Sequence, residues 1–428
     1  MNEQECESLG IISINRNAII QYILIYLLIQ YIGGRVLAAL GTDFFYGGTL
    51  ILCMFLMLQM PNRLPLKKNV FGYLLILGVS LGISFVITGG ALSIGTILSI
   101  ISRFILVYVA IQFDMEHFMH RFLKLAYIMA CLSLIEFVFV QIIGVSNALD
   151  FFSRLYEIKN GSSWLGNSYG LFFVCYNFMD PTRNAYMFGE PGEYQMLLIT
   201  ALYFMTFYSV DLEKKEKIRY YVVFFAALLT TQSTTGYFNL IAFAVAVLLT
   251  NREQVRPFVK RILLVLIVAL IIYLFLFYSE NSFLYKNFFA KILTDNNTID
   301  LATNTGIART GPMERFVETV NIVPQKLLFG VGFSGLASLP LGGYTTCGLI
   351  NSIAMIGVIS SVLLYGKMSV ALLVGAKSII QVGLGLFLVV NMGFSQPDIL
   401  SIMSVLICMY GIYSNRKESK KIMEAYYE

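Results

Sequence analysis

Charged residues that could take part in chemistry stand directly before an apolar run. The stretch RNAYMFGEPGEY supplies Arg183, Glu190 and Glu193. A carboxylate can act as a general base, and a guanidinium offers a fixed fork of donors that fits phosphate oxygens. Pro191 favours the first turn of a helix, which would place Glu190 at or near the N-cap. Glu190 is therefore either an acidic helix cap or a carboxylate that faces a cavity and has a functional role.

Two further arginines, Arg309 and Arg315, flank a Thr-Gly-Pro turn in the stretch GIARTGPMERF. Arginine stays charged and can hold phosphate oxygens bidentately, so the pair would suit a lipid-linked pyrophosphate. The alternative is a pair of loop salt bridges with Glu314 or Glu318, which would contribute little stability.

A third cluster, LLTTQSTTGYFNL, places Thr, Ser and Gly between two short apolar runs. Polar, irregular backbone at membrane depth is tolerated where it lines water or protein. The cluster thus predicts a hairpin that ends in a cavity, with Ser233 and Thr234 as substrate-binding residues. Helix packing through small residues is the other interpretation.

Two charged residues lie inside apolar runs: Arg103 in LSIISRFILVY and Glu136 in CLSLIEFVFV. A charge at the centre of a bilayer costs roughly 2.5–3.5 kcal/mol on insertion scales, so it usually faces a partner or a pathway. Arg103 is therefore a candidate substrate-binding residue, and a structural ion pair with Glu136 is the alternative.

The composition indicates which kind of secondary structure positions these residues. The chain has 428 residues, 57% of them hydrophobic and only 13% charged, with a mean hydropathy of +0.74. A soluble domain of this length could not cover itself with so few charges. The apolar residues also form long runs, and a helix needs roughly 20 residues to cross the hydrocarbon. We therefore expect an all-α, polytopic helical membrane protein.

About twelve transmembrane helices are predicted, and residues 1–428 form a single integral membrane domain. The predicted spans are 18–35, 44–60, 70–88, 91–112, 124–143, 190–210, 219–232, 235–250, 262–279, 345–365, 378–393 and 399–413.

The distribution of Lys and Arg predicts the orientation. With the N-terminus inside, 20 of the 30 basic residues lie in inner segments and nine lie outside or at the outer boundary. Both termini are then cytoplasmic, and the long segments 144–189 and 280–344 are external. The net charge of +5 reflects this topology and does not indicate nucleic-acid binding.

The sequence indicates no metal site and no cofactor. The only histidines, His117 and His120, lie in a connector predicted to be cytoplasmic, and two ligands make a poor metal site. The six cysteines form no CxxC pair and are interpreted as small apolar fillers.

These motifs together resemble the O-antigen polymerase and O-antigen ligase superfamily, the Wzy-type enzymes of bacterial surface polysaccharides. RNAYMFGEPGEY is similar to the family's Arg…Phe-x-Glu-Pro stretch, and LLTTQSTTGYFNL to its Thr-x-Ser-x-x-Gly span start. GPMERF…LLFGVGF is similar to the arginine-bearing outer segment that precedes a Gly-x-Gly element.

The resemblance implies a GT-C-type fold with an outward-facing cavity in the bacterial cytoplasmic (inner) membrane. It implies metal-independent transfer of an undecaprenyl-pyrophosphate-linked oligosaccharide onto the terminal sugar of another lipid-linked repeat unit. Glu190, Arg183 and Arg315 would be catalytic, with Glu190 as the base or as the anchor of an arginine. Membrane lipid, a chain-length regulator and a flippase are the other implied partners.

Three alternatives remain open at this stage. A ligase of the same superfamily is expected to carry a functional histidine in a large outer loop, and neither outer segment contains one. A lipid-linked oligosaccharide flippase or other transporter would also have about twelve spans, although such proteins more often show internal repeats. A non-catalytic assembly subunit is the third alternative.

Overall fold

The computed structural model describes a helical protein. The described residues are 16–34, 41–59, 68–153, 157–158, 168–169, 173–174, 183–208, 210, 212–250, 261, 264, 324–337, 347–396 and 399–412.

Helices dominate these residues. In chain order they are α1 (Arg16–Gln30), α2 (Thr42–Gln59), α3 (Lys68–Ile87), α4 (Ile94–Phe113), α5 (Phe118–Ile143), α6 (Val145–Ser153), α7 (Pro191–Phe207), α8 (Lys214–Thr230), α9 (Thr234–Leu249), α10 (Pro324–Phe329), α11 (Gly332–Ala337), α12 (Gly348–Gly375), α13 (Ile379–Ser395) and α14 (Ile402–Ile412). Between α6 and α7, the short strands β1 (Glu157–Ile158), β2 (Ser168–Tyr169) and β3 (Phe173–Val174) form an antiparallel sheet. Its register pairs Glu157 with Tyr169 and Ser168 with Val174.

Four helices in the described part of the chain are long and apolar enough to cross a membrane: α3 from Val70 onwards, α4, α5 and α12. The apolar helices α1, α2, α9, α13 and α14 are shorter. Large apolar side chains such as Leu58, Val86 and Ile379 are 75–80% exposed, as expected of surfaces that face lipid. A helical membrane protein is thus supported. The predicted span at 262–279 lies almost entirely outside the described residues, and a total of twelve spans remains a prediction.

Helix α7 lies at the centre of the bundle and packs against α5, α8, α9 and α13. Fifteen of its 17 residues are buried. Its sequence after Glu193 is apolar on every side, which is typical of a helix enclosed by others. The central position of α7 holds its N-terminal end, and therefore Glu190, against the surrounding helices.

Helix α12 is broken at Gly357, where the backbone has φ 78° and ψ 169°. The break frees the carbonyl of Ala354, which accepts a 2.8 Å hydrogen bond from the backbone N–H of Val331. A Cβ at Gly330 would lie 2.5 Å from the carbonyl carbon of Met355, so only glycine permits this approach. The Gly-x-Gly element of the sequence therefore joins α10 and α11 to the broken helix.

The predicted span at 345–365 is shorter than the helix observed there. Helix α12 continues to Gly375 and includes Lys367, which the sequence placed in a connector. The Lys367 ammonium lies 5.7 Å from the centre of the Tyr73 ring on α3. Lysine is a good helix former, so the charge does not end the helix, and the cation–π contact stabilises the ammonium beside α3.

A polar cluster links α1, α4 and α5 at one end of the bundle. Asp114, at the C-cap of α4, accepts a 2.6 Å hydrogen bond from the buried guanidinium of Arg121. His117 Nδ1 lies 2.9 Å from Asp114 Oδ1. Gln21 on α1 donates to the Asp114 carbonyl at 2.8 Å and also contacts Arg121.

The Asp114 cluster predicts acid sensitivity. Burial raises the pKa of Asp114, but the hydrogen bonds from His117 and Arg121 and their charges outweigh it, so the pKa lies below its usual value of 3.8. A depressed folded-state pKa gives stability that is complete above the unfolded-state pKa and is lost as pH falls through the folded one. We expect the thermal unfolding midpoint to fall on acidification from about pH 5 to about pH 2, and less steeply in Asp114→Asn.

The control is Glu213→Gln, which removes an exposed carboxylate at the start of α8. The unfolding midpoint of this variant should follow the wild-type pH dependence. Equal slopes for wild type and Asp114→Asn would contradict a stabilising role of the Asp114 carboxylate.

Candidate functional site

The candidate site is built from two segments that are remote in sequence. The first is the loop of residues 183–190, which leads into α7, and the second is the turn of residues 231–233, which joins α8 to α9. Arg183 Nε donates to the Thr231 carbonyl at 3.4 Å, and the Asn184 N–H donates to the Thr230 carbonyl at 2.9 Å. Arg183 is half-buried there. The structure therefore brings together two of the three sequence motifs.

Glu190 is the N-cap of α7, with extended backbone at φ −141° and ψ 150°, and Pro191 is the first helical residue. The position predicted from the sequence is confirmed. The Glu193 carboxylate accepts a 3.2 Å hydrogen bond from the backbone N–H of Glu190. Glu190 itself is exposed at this end of the bundle. Two carboxylates thus lie at the positive end of the α7 dipole, where negative charge is favoured.

The chain that follows α1 supports the loop from its other side. Gly34 forms an isolated antiparallel bridge with Phe188, and Gln30 Nε2 lies 2.9 Å from Met187 Sδ. A Cβ at Gly33 would collide with the carboxylate of Glu193. Sequence reasoning missed this contact, because Gly33 and Gly34 carry no chemical signal of their own.

The turn at residues 231–233 is ordered by its own polar groups. Ser233 is the N-cap of α9, and its Oγ accepts a 3.2 Å hydrogen bond from the Gly236 N–H. The Ser233 N–H donates to Thr231 Oγ1 at 3.3 Å, and Gln232 adopts φ 48°. Ser233 is buried and Thr234 is half-buried. The Thr-x-Ser-x-x-Gly pattern therefore has a local structural role, and contact of Ser233 and Thr234 with substrate remains a prediction.

A chain of amides runs from the start of α7 towards α13, with Gln195 and Asn239 buried and Asn391 half-buried. Gln195 donates to the Gly192 carbonyl at 3.0 Å, and Asn239 on α9 donates to Gln195 Oε1 at 2.9 Å. Asn391 on α13 donates to Asn239 Oδ1 at 2.7 Å. Sequence reasoning missed these residues, although single amides inside apolar runs are a usable signal for packed polar networks.

The two charges inside predicted spans lie on different helices, Arg103 on α4 and Glu136 on α5. Arg103 is 5% exposed, and its guanidinium lies 5.8 Å from the Tyr31 ring centre and 5.7 Å from that of Tyr46. It also donates to Ser99 Oγ one turn earlier on α4. These contacts place Arg103 in an aromatic environment between α1, α2 and α4, and a substrate contact remains a prediction.

Glu136 is buried on α5, with 4% of it exposed. It is close enough to Tyr186 and Tyr194 for its charge to act on both phenols. The sequence suggested either an ion pair with Arg103 or a functional role for Glu136, and it gave no indication that Glu136 lies near Tyr186.

Two predicted arginines, Arg309 and Arg315, lie outside the described residues, so their convergence with Arg183 stays a prediction. Within the described residues, no group of three or more His, Cys, Asp or Glu side chains is arranged to hold a metal ion.

The chain matches no protein-family model, and no curated protein matches it significantly. The interpretation of the site therefore depends on its residues and on their geometry.

Proposed function

We propose that this protein is a bacterial surface polysaccharide polymerase of the O-antigen polymerase type. It would transfer an undecaprenyl-pyrophosphate-linked glycan to the terminal sugar of a second lipid-linked repeat unit. The single observation that supports this most is the contact between the loop of residues 183–190 and the turn of residues 231–233. It holds the Arg183 guanidinium at the C-cap of α8, two residues before the N-cap of α9. A fixed positive charge next to the N-terminus of α9 would favour an anionic substrate.

The proposed reaction is a glycosyl transfer without metal or cofactor. The acceptor hydroxyl loses its proton to Glu190 as the new bond between its oxygen and the donor's anomeric carbon forms. The bond from that carbon to the phosphate oxygen breaks, and the lipid pyrophosphate leaves with the electron pair. Arg183, with Arg309 and Arg315, would stabilise the leaving charge. In the variant mechanism, Glu190 orients an arginine instead.

The proposed setting is the cytoplasmic membrane, with about twelve spans and a GT-C-type cavity open to the outside. The positive charge bias supports cytoplasmic termini and an external site. A chain-length regulator and a flippase would act with this protein, since the substrate has to be delivered and the product length controlled.

This topology predicts a difference in cysteine labelling. In a background without the six native cysteines, Ser146→Cys on α6 should react with a membrane-impermeant maleimide in intact spheroplasts. Lys215→Cys, at the start of α8, should react only after permeabilisation. Both residues are exposed, so accessibility within the fold is matched. Labelling of Lys215→Cys but not Ser146→Cys in intact spheroplasts would invert the topology.

The experiment that tests the function uses purified protein and synthetic polyprenyl-pyrophosphate-linked repeat units. We expect lipid-linked chains of many repeats, together with released polyprenyl pyrophosphate. Transfer to lipid A core without self-elongation would indicate a ligase instead.

A transporter is the second candidate function, and the broken helix α12 is the observation that favours it. Discontinuous helices form the binding sites of many secondary transporters. Movement of the lipid-linked unit across liposomes without elongation would support this candidate and exclude the polymerase.

A further inference from the structure

We propose that Asn184 is the positioning residue that holds Arg183 in the candidate site. This inference rests on the proposed function, because it assigns Asn184 a role in the reaction through Arg183. Asn184 directly follows Arg183 in the chain and is 1% exposed, so its side chain faces the interior of the bundle.

Every polar group of the Asn184 side chain is used. Its Nδ2 donates to Ser133 Oγ on α5 at 3.3 Å and to Thr230 Oγ1 on α8 at 3.0 Å. Its Oδ1 accepts from the Tyr186 N–H at 3.1 Å. The backbone N–H of Asn184 donates to the Thr230 carbonyl as described above. One buried amide therefore joins the loop to two helices.

In the hydrogen-bond arrangement of this site, the groups around Nδ2 act as acceptors towards Asn184, and Ser133 Oγ also lies 2.6 Å from the Tyr194 hydroxyl. Ser133 Oγ donates to the Ala130 carbonyl at 2.9 Å, and Thr230 Oγ1 donates to the Ala227 carbonyl at 2.8 Å. Both hydroxyl oxygens are thus left as acceptors towards Asn184. An aspartate of the same shape would place an oxygen against them, and the two hydroxyls could donate to it only by giving up their hydrogen bonds to the Ala130 and Ala227 carbonyls.

The Asn184 side-chain oxygen stabilises an unusual backbone conformation at Tyr186. Tyr186 has φ 47°, a left-handed conformation that a residue with a side chain rarely adopts. The hydrogen bond from Tyr186 N–H to Asn184 Oδ1 stabilises this turn. The tyrosine is itself buried, and its ring centre lies 5.8 Å from that of Tyr194 on α7. The path of the loop is therefore defined on both sides of Asn184, and Arg183 is held at its outer end.

A double-mutant cycle with Arg183 tests this role. We would measure kcat/KM for elongation of lipid-linked repeat units by wild type, Asn184→Ala, Arg183→Lys and the double variant. Misplacement of a catalytic group by about 1 Å can cost up to about 10²-fold, and we expect Asn184→Ala to lower kcat/KM at least about tenfold. If Asn184 acts through Arg183, the double variant should resemble Arg183→Lys within about twofold.

Asn239→Ala is the matched control, because Asn239 is another fully buried asparagine with two side-chain partners, and these are Gln195 and Asn391 and not the loop of residues 183–190. Its effect should multiply with that of Arg183→Lys. Two results would overturn the positioning role. One is a double variant in which the effects of Asn184→Ala and Arg183→Lys on kcat/KM multiply, and the other is a wild-type kcat/KM in Asn184→Ala. If Asn184→Ala does not fold, Thr230→Val removes one acceptor of the Asn184 amide with little change of shape. The same double-mutant cycle is then measured with Thr230→Val in place of Asn184→Ala.

The two proposals fail in different ways in this experiment. A wild-type protein without polymerase activity would overturn the proposed function, and the role of Asn184 with it. An active wild type whose Asn184 and Arg183 effects are independent would overturn only the role of Asn184.

Discussion

Replacing Glu190 by glutamine should lower polymer synthesis by about 10²–10⁴-fold, the usual contribution of a general acid or base. Glutamine keeps the size of the side chain and part of its capping ability but cannot accept a proton. Glu190 is exposed at the N-cap of α7. Its backbone N–H donates to the Glu193 carboxylate, and because the substitution changes only the side chain, the start of the helix keeps this hydrogen bond in the variant. The measurement is gel analysis of surface polysaccharide beside protein abundance, followed by the purified assay.

Glu213→Gln is the matched control for this experiment. Glu213 is also an exposed glutamate at the N-cap of a helix, α8, but it is distant in sequence from the motifs of the candidate site. Its replacement should leave polymer synthesis near the wild-type level. If Glu190→Gln also makes near-normal polymer with only a reduced unfolding temperature, Glu190 is a cap, and Glu193 and Glu136 become the carboxylates to test next.

Replacing Gly357 by alanine should greatly reduce the amount of folded protein. At φ 78° an L side chain is strained, and a Cβ would lie 2.5 Å from the carbonyl carbons of Leu328 and Phe329. Backbone strain and overpacking each cost about 1–3 kcal/mol. These two carbonyl groups cannot move aside easily, because they belong to the backbone of α10. We expect a markedly lower thermal unfolding midpoint in detergent and poor recovery from membranes.

The control for Gly357 lies on the same helix. Gly366 is exposed, and a Cβ there would meet no atom within 4 Å. Alanine is favoured over glycine in a helix by roughly 1 kcal/mol, so Gly366→Ala should be neutral or slightly stabilising. Equal unfolding midpoints for the two variants would show that the break in α12 does not depend on glycine at residue 357.

The start of α7 was predictable because its signals are local. Pro191 restricts its own φ, and a carboxylate before it suits a helix N-terminus, so Glu190 could be placed at the N-cap without knowledge of the fold. The turn before α9 was predictable for the same reason, since Ser233 and Gly236 are only three residues apart. The apolar runs likewise indicated helices in a membrane, because hydrocarbon requires backbone groups to pair within their own segment.

Other features depend on contacts between segments that are far apart in the chain, and only the tertiary structure decided them. The sequence does not distinguish Gly357 from Gly366, and the break at Gly357 becomes necessary only because the backbone of α10 packs against it. Asn184 appears in the sequence as one polar residue beside an arginine, and its role emerges from the hydroxyls that α5 and α8 present to it. Local chemistry is determined by residue type and short spacing, whereas close approach and hydrogen-bond pairing depend on which surfaces the folded chain brings together.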